Sequence, residues 1–408
     1  MNDDLRKQIA ALPALDESRA SIHRSCCKIC GQAAALFDIV DLQKHCAFDD
    51  FYKFGLSGIE VPYLRCEACG FLFTCFFDDW RDEDWRGFIY NDDYIRVDPD
   101  YSGARAIRLA EIMGRTLDGC RHLRVLDYGS GANVFAGRMR DAGFTHFENY
   151  DPYSSPARPA GQFDIITCLE VLEHTPDPRA AIADMRSMLT ERGTLIFSQT
   201  VQPANIADIR GAWWYLAPRN GHISTFTVDT LTRLLPSPAY HLHGNDWLWA
   251  MRPSGADPAV TAAARRIGPS MLSYRLAAPA TGQDDQFYSA EHANGGCFRW
   301  SRASQLSWMI PAPSDYPARI NLQVPFRLEI TQGFAAACRV SIGGSAADTS
   351  LCQSGIFARA RLDHAPDDTQ DGAPGQISVT LQTPPPRSPF DIRGAPDSRA
   401  LGLAVPAC

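Results

Sequence analysis

The sequence predicts a multidomain chain that is α/β in its middle and all-β at its C-terminal end, headed by a subdomain of paired cysteines. Three observations predict it. Six of the thirteen cysteines fall within the first seventy residues. Between residues 119 and 252, short apolar runs alternate with segments of helical periodicity, the pattern of a parallel sheet with right-handed crossovers. From residue 291 onward, β-rich runs are separated by Gly, Pro and Asp clusters, which predicts a β-sandwich or jelly roll. A chain of 408 residues has room for two or three domains.

The elements follow in order. Residues 4–16 suit a short leading helix, and residues 1–78 form the cysteine region. Residues 79–118 make a helical connector, because Ala104, Ile107, Leu109, Ile112 and Met113 recur at near-helical spacing. Within 119–252, residues 123–128 read as a buried strand, then Gly129-Ser130-Gly131, then a helix over 134–142. Strands are expected over 147–150, 163–168 and 193–199, with helices over 178–189 and 227–235. Residues 241–243 and 247–251 can close the sheet as an antiparallel hairpin. Only eleven residues separate Asp151 from Phe163, too few for a helix and another strand, so one β–α unit is expected to be trimmed. Residues 253–290 read as a helical linker with loops. The sandwich over 291–408 is expected to use runs at 297–300, 320–324, 326–330, 338–342, 376–382 and 401–405.

Composition narrows the function classes. Hydrophobic residues at 45% and charged residues at 21% are ordinary for a globular protein and exclude disordered and collagen-like chains. A net charge of -8 makes the chain a poor binder of phosphate backbones, so no nucleic-acid partner is expected. No run of about 18 apolar residues occurs, so no membrane span is expected. The first residues carry no apolar leader, and a cytoplasmic address is the expectation.

Cys27-Lys28-Ile29-Cys30-Gly31 and Cys66-Glu67-Ala68-Cys69-Gly70 are two copies of Cys-x-x-Cys-Gly. Two thiolates so spaced can reach one tetrahedral ion, and the trailing glycine permits the tight turn. Cys27, Cys30, Cys66 and Cys69 together make a closed, structural shell for Zn2+. Iron in the same four-sulfur shell is the rival, and buried bystander cysteines are the bland alternative. Cys26 stands beside the first knuckle as a bystander, while Cys46 and Cys75 are expected to pack in the interior.

Asp127-Tyr128-Gly129-Ser130-Gly131-Ala132-Asn133 lies where a strand meets a helix. Glycines there let a ligand approach the backbone, and Asp151, at the end of the next strand, can accept hydrogen bonds from ribose hydroxyls. Either a dinucleotide or a nucleoside would fit. Val134 at the sixth position of the glycine fingerprint argues against NAD. At these residues the sequence resembles the class I S-adenosylmethionine-dependent methyltransferases. Asp127, Gly129 and Gly131 match their first motif, Asn133 replaces its third glycine, and Asp151 matches its ribose-binding acid. Leu169–Pro178 resembles the stretch after the family's fourth strand. The resemblance implies a compact Rossmann-like domain holding S-adenosylmethionine through these residues and Glu170, with Tyr94 over the methionine end. The knuckles beside this domain make the chain partly similar to sugar C-methyltransferases, which implies a sugar, sugar-nucleotide or glycan acceptor. The C-terminal region is similar to β-sandwich domains appended to bacterial glycan-biosynthesis proteins.

Methyl transfer from a sulfonium is an in-line displacement, and a base is needed only where the acceptor loses a proton. His222 is the first candidate and Tyr215 the second, with His174 and Glu173 behind them. The aromatic run Trp213-Trp214-Tyr215 is expected to pack in the core. A competing reading is a non-catalytic glycan-binding or scaffold protein with a degenerate cofactor fold, motivated by Asn133 and the trimmed unit. A third is an RNA or protein methyltransferase that uses the knuckles for its target.

Overall fold

The computed structural model describes residues 24–47, 50–131, 133–152, 157–236, 240–278, 285–293, 296–352, 355–365 and 375–407. The leading helix expected over 4–16 lies outside them. The chain divides into two compact units, one comprising residues 1–202 and 209–268, the other 203–208 and 269–408. The cysteine region, the connector and the α/β region therefore share one unit.

The first unit opens with β1 (Arg24–Cys26), β2 (Ala33–Asp41), β3 (Glu60–Cys66) and β4 (Leu72–Phe73), an antiparallel run in chain order. Next come β5 (Val125–Tyr128), β6 (Phe147–Tyr150), β7 (Phe163–Cys168) and β8 (Leu189–Ser198), then β9 (Ser224–Thr225), β10 (Tyr240–Gly244) and β11 (Leu248–Pro253). Strand β9 does not join the parallel sheet. It pairs with β4, so the cysteine sheet is completed by a strand from far along the chain.

Strands β5 to β8 are parallel in the order β8-β7-β5-β6, and the expected hairpin β10–β11 adds antiparallel at β8. Every residue of β5 is buried, as expected of a strand covered on both faces. No regular element lies among the described residues between Asp151 and Phe163, in keeping with the trimmed unit. Strand β8 starts four residues earlier than expected. Leu189 pairs with Phe163 before an irregularity, and regular pairing resumes from Ile165 with Thr194. Gly193 sits in that irregularity, where a Cβ would lie 2.9 Å from the Leu189 side chain and 3.0 Å from the Phe163 carbonyl.

The helix Ala104–Thr116 buries Leu109, Ala110 and Met113, while Ile107 stays exposed. The helix Pro178–Ser187 begins at Asp177, whose carboxylate accepts the Ala180 N–H at 3.0 Å, with proline in the first turn. The stretch 253–290 is helical in its first part. Its helix Pro258–Ile267 places Val260, Ala263, Ala264 and Ile267 in the same core as Val125, Ile165 and Ile196.

The second unit is built mainly of strands. Three four-stranded groups surround a core that includes Leu306, Ile320, Val340, Ile342, Val379 and Leu381. The first group joins Ser270–Arg275, Ala318–Val324, Gly355–Leu362 and Asp348–Cys352. The second joins Glu291–Ala293, Gly296–Trp300, Leu403–Pro406 and Leu328–Glu329, and the third Gln305–Pro311, Gln376–Gln382, Arg339–Ile342 and Ser345–Ala346. The alternation of buried and half-buried residues in Ala318–Val324 is the period-2 pattern the sequence shows. That pattern identifies strands but not how many sheets they make. Asp397 accepts two hydrogen bonds from the Arg399 guanidinium, fixing a turn, and Arg399 also reaches Glu291 at 2.6 Å.

Candidate active site

The loop after β5 is held open by backbone geometry. Gly129 has a φ of 78°, and a Cβ there would lie 2.5 Å from the Val171 side chain. Gly131 has a φ of 46° and nothing within 4 Å of its missing Cβ, which leaves an uncovered approach to the loop backbone. Its N–H donates to the Asp151 carboxylate at 3.1 Å. Asn133 takes the left-handed conformation at φ 63°, as its polar side chain permits, and its Oδ1 accepts from Asn149 at 2.8 Å. The helix Val134–Asp141 starts immediately after it. Beneath the loop, Asp127 is buried and accepts the Thr167 hydroxyl at 3.0 Å. Burial pushes its carboxyl up to about 7.

The segment after β7 forms the next wall. Glu170 also has a positive φ, 57°. Its N–H donates to Ser198 Oγ at 2.7 Å, and the Ser198 hydroxyl donates back to Glu170 Oε1 at 2.8 Å. Arg105 stands 3.8 Å from the other Glu170 oxygen and donates to Asp98 at 2.5 Å. Tyr94 is buried, with its hydroxyl 3.5 Å from Asp98 and 3.4 Å from the Asn220 carbonyl. Its ring meets Tyr90, and Tyr90 in turn lies edge-on to His174.

His174 and His222 lie together, ring centroids 5.2 Å apart, although long stretches of chain separate them. Their positions follow from a clamp. The Ile223 N–H donates to the Glu173 carbonyl at 2.8 Å, Ser224 Oγ donates to the Thr175 carbonyl at 3.0 Å, and the Thr74 N–H donates to the Ile223 carbonyl at 3.0 Å. Tyr63, fully buried on β3, donates its hydroxyl to the His222 carbonyl at 2.7 Å. Gly221 is left-handed at φ 80°, and a Cβ there would come within 3.0 Å of both His174 Nδ1 and the Tyr90 hydroxyl. His174 Nδ1 donates to the Gly221 carbonyl at 3.0 Å, and His222 Nδ1 donates to the Tyr215 carbonyl at 3.1 Å with Cys46 Sγ at 3.4 Å. Burial holds both imidazoles neutral: His174 falls to about 4 and His222 well below the ordinary range, the neighbouring His174 adding to the effect.

Tyr215 is also drawn into this cluster, but not as a free base. Its buried hydroxyl donates to Glu173 Oε1 at 2.8 Å. Trp213 and Tyr215 are buried, so that aromatic run packs as expected. Cys46, expected to be interior packing, is half-buried beside His222, and burial pushes its thiol above the ordinary range.

The four knuckle cysteines come together. All four sulfurs lie within 4.8 Å of one another, with Cys27 to Cys69 at 3.6 Å and Cys30 to Cys66 at 3.5 Å. The glycines do what the motif requires: Gly31 at φ 73° and Gly70 at φ 77° turn the chain so that their N–H groups donate to the Cys27 and Cys66 carbonyls. Other segments grip the knuckles. Arg179 donates to the Ile29 carbonyl at 2.6 Å, Thr227 to Cys69 at 3.0 Å, and Gln202 to Gly70 at 2.9 Å. Cys26 is exposed and Cys75 half-buried, and neither belongs to the cluster.

Residues 103–237 match a family model described as a methyltransferase domain. This is a methyltransferase domain.

The match covers less than half of the chain. A ubiquinone biosynthesis O-methyltransferase of Aromatoleum aromaticum is 30% identical over 100 residues, covering 18% of this chain and 43% of the relative. Its counterpart from Escherichia fergusonii is 27% identical over 128 residues, covering 25% of this chain and 50% of the relative. The chain thus spans half or less of the length of these curated relatives. A solved putative methyltransferase of Bacillus halodurans is 16% identical with a TM-score of 0.26, covering 32% of this chain and 69% of that one. A solved methyltransferase of calicheamicin biosynthesis in its SAH-bound form is 14% identical with a TM-score of 0.30, covering 40% and 60%.

Around the methyltransferase domain the structure adds residues that the sequence did not single out. Arg105 stands between Asp98 and Glu170, Ser198 hydrogen-bonds Glu170, and Tyr63 donates to the His222 carbonyl. Each acts through contacts between segments distant in sequence, so no local pattern marks it. Among the described residues, no helix is long and apolar enough to cross a membrane.

Proposed function

We propose that the chain transfers a methyl group from S-adenosylmethionine to a small acceptor bound beside His174 and His222. The observation that carries this reading is the loop after β5. Two positive-φ glycines, the left-handed Asn133 and the Asp151 carboxylate leave an open backbone cradle within the matched domain. Asp127, Gly129, Gly131, Asn133 and Asp151 would hold the nucleoside, and Glu170 with Tyr94 the methionine end. S-adenosylmethionine would supply an electrophilic methyl group. His222 would supply the base, because its Nδ1 proton is committed to a carbonyl and its Nε2 keeps a lone pair. Tyr215 would position Glu173 rather than act as a base itself.

The acceptor we favour is a sugar, sugar nucleotide or glycan precursor, on the pairing of cysteine knuckles with this domain. The O-methyltransferase names of the relatives support a second reading, an oxygen acceptor on a small aromatic molecule. We infer further that Cys27, Cys30, Cys66 and Cys69 hold one structural zinc, since four mutually adjacent sulfurs on two knuckles fit a tetrahedral ion. Without a cation, the sulfurs crowd: the Cys27 thiol is pushed up to about 11, chiefly by Cys66.

Calorimetry with S-adenosylhomocysteine tests the cofactor reading, and no binding by the metal-loaded protein would end it. Mass spectrometry of sugar nucleotides and catechols incubated with S-adenosylmethionine separates the acceptors. Binding without methylation of any panel member would favour the scaffold reading.

A further inference from the structure

Glu173, His174 and His222 bring one donor atom each within 4.8 Å of one another. Both Nδ1 atoms face carbonyl oxygens, at 3.0 Å for His174 and 3.1 Å for His222. A carbonyl only accepts, so both Nδ1 atoms carry the proton and both Nε2 atoms carry a lone pair. Glu173 has no solvent exposure. Its Oε1 accepts the Tyr215 hydroxyl, and its Oε2 has no partner among the described residues. A buried carboxylate oxygen left bare is costly, and such groups point to a task.

We propose that Glu173 acts through His222 as the acceptor of a relayed proton. His222 Nε2 takes the proton from the substrate's nucleophilic atom, and once the methylated product has left, the same N–H donates it to the bare Glu173 oxygen. The inference rests on the methyltransferase reading above. The bonds balance: the nucleophile's electron pair joins the methyl carbon, the sulfur–carbon pair stays on sulfur, and the proton ends on the carboxyl of Glu173. His174 is the half-buried member of the three.

The direction of transfer follows from the surroundings. Burial, reinforced by His174, makes an imidazolium at His222 unfavourable, and Arg105 and Lys44 act on it in the same sense. His174 is likewise disfavoured as a resting place by burial and Arg105, although Asp98 and its hydrogen bond to Gly221 oppose this. Glu173 is the reverse case. Burial and then Glu170 push its carboxyl up to about 8, against the Tyr215 hydrogen bond and Arg105. The half-buried Cys46 thiol and the buried Cys168 thiol sense its charge, which raises both further. These surroundings disfavour a proton on His222 and favour it on Glu173.

The test is an NMR titration of the imidazole nitrogens in the full, metal-loaded chain, between about pH 6 and pH 10. In the wild type, both His174 and His222 should report one shared step near pH 8, and Glu173→Gln should abolish it. Tyr215→Phe, which removes the hydrogen bond favouring the carboxylate, should move the step upward and serves if Glu173→Gln does not fold. A step unchanged in both variants would overturn the relay. So would a second equivalent of divalent metal that Glu173→Gln loses, because the three groups would then be ligands. Calorimetry on the same samples keeps the two ideas apart. Failure of the wild type to bind S-adenosylhomocysteine removes the methyltransferase reading, and the relay falls with it. Normal binding with an unchanged step removes the relay alone.

Discussion

Two buried clusters in the first unit are built on opposite principles. The four cysteines come from two short motifs, their sulfurs lie within 4.8 Å of one another, and backbone hydrogen bonds within each motif close the two knuckles. Glu173, His174 and His222 are equally close, but only two of them are neighbours in the chain, and the third is brought in by strand β9. The first cluster is the one for which we propose a neutralising cation. The second is kept uncharged by burial, with one oxygen left bare. Crowded thiols suit a structural ion, whereas neutral imidazoles with free lone pairs suit proton transfer. The clusters are also joined, since β4 leaves the second knuckle and pairs with the strand that follows His222.

The largest expected effect breaks the cysteine side. Cys66→Ser should lose the metal and destabilise the first unit by several kcal/mol, given that structural zinc contributes roughly 10 kcal/mol in small domains. Metal stoichiometry together with denaturant unfolding checks it, and retained metal with unchanged stability would remove the zinc assignment. Next is Gly221→Ala, where a Cβ meets His174 and Tyr90 at a left-handed backbone. A loss of about 1–3 kcal/mol is expected, read by unfolding, along with displaced His174 resonances.

The pH dependence of stability sharpens the second cluster. The Glu173 carboxyl is raised from 4.5 to about 8 in the folded chain, so between these values the folded state holds a proton that the unfolded state has released. Its contribution to stability is complete below pH 4.5 and falls as pH rises through about 8, with a slope of up to about 1.4 kcal/mol per pH unit. Glu173→Gln should flatten that slope, measured as denaturant midpoints across the range. Equal slopes in the two proteins would mean that Glu173 is ionised when folded. The smallest effect should leave both clusters alone. Asp151→Ala should weaken S-adenosylhomocysteine roughly 10- to 100-fold without changing the metal content or the unfolding midpoint. Unchanged affinity would place the ribose elsewhere.

Much of the fold was legible because its signals are local. The knuckles, the Asp127–Asn133 loop and the strands at 125–128, 147–150 and 163–168 each occupy one short stretch, and the structure places them as that stretch implies. Asn133 is the clearest case: a residue type that tolerates left-handed backbone stands where the loop needs it. The misses have a shared cause. Tyr215 looked like a free hydroxyl in sequence, but its partner Glu173 lies in a different segment. Lys44 went unremarked, yet it is buried, with its ammonium donating to the carbonyls of Trp213 and Leu216 and its pKa lowered to about 8 by burial. The helix Pro258–Ile267 lies where a helical linker is expected, but its small residues, Ala263 and Ala264, declare a buried face only once a sheet covers them.

The sequence alone therefore determined the pieces whose physics is contained within a turn or a strand: paired thiolates, a glycine-opened loop, and alternating apolar runs. Tertiary structure decided everything that depends on which segments meet. It closed the cysteine sheet with β9, divided the C-terminal strands into three sheets, and set Glu173 against His174 and His222. Backbone conformation and metal-ligand spacing are short-range properties. Desolvation, which fixes the charge of that cluster, is a property of the whole packed unit.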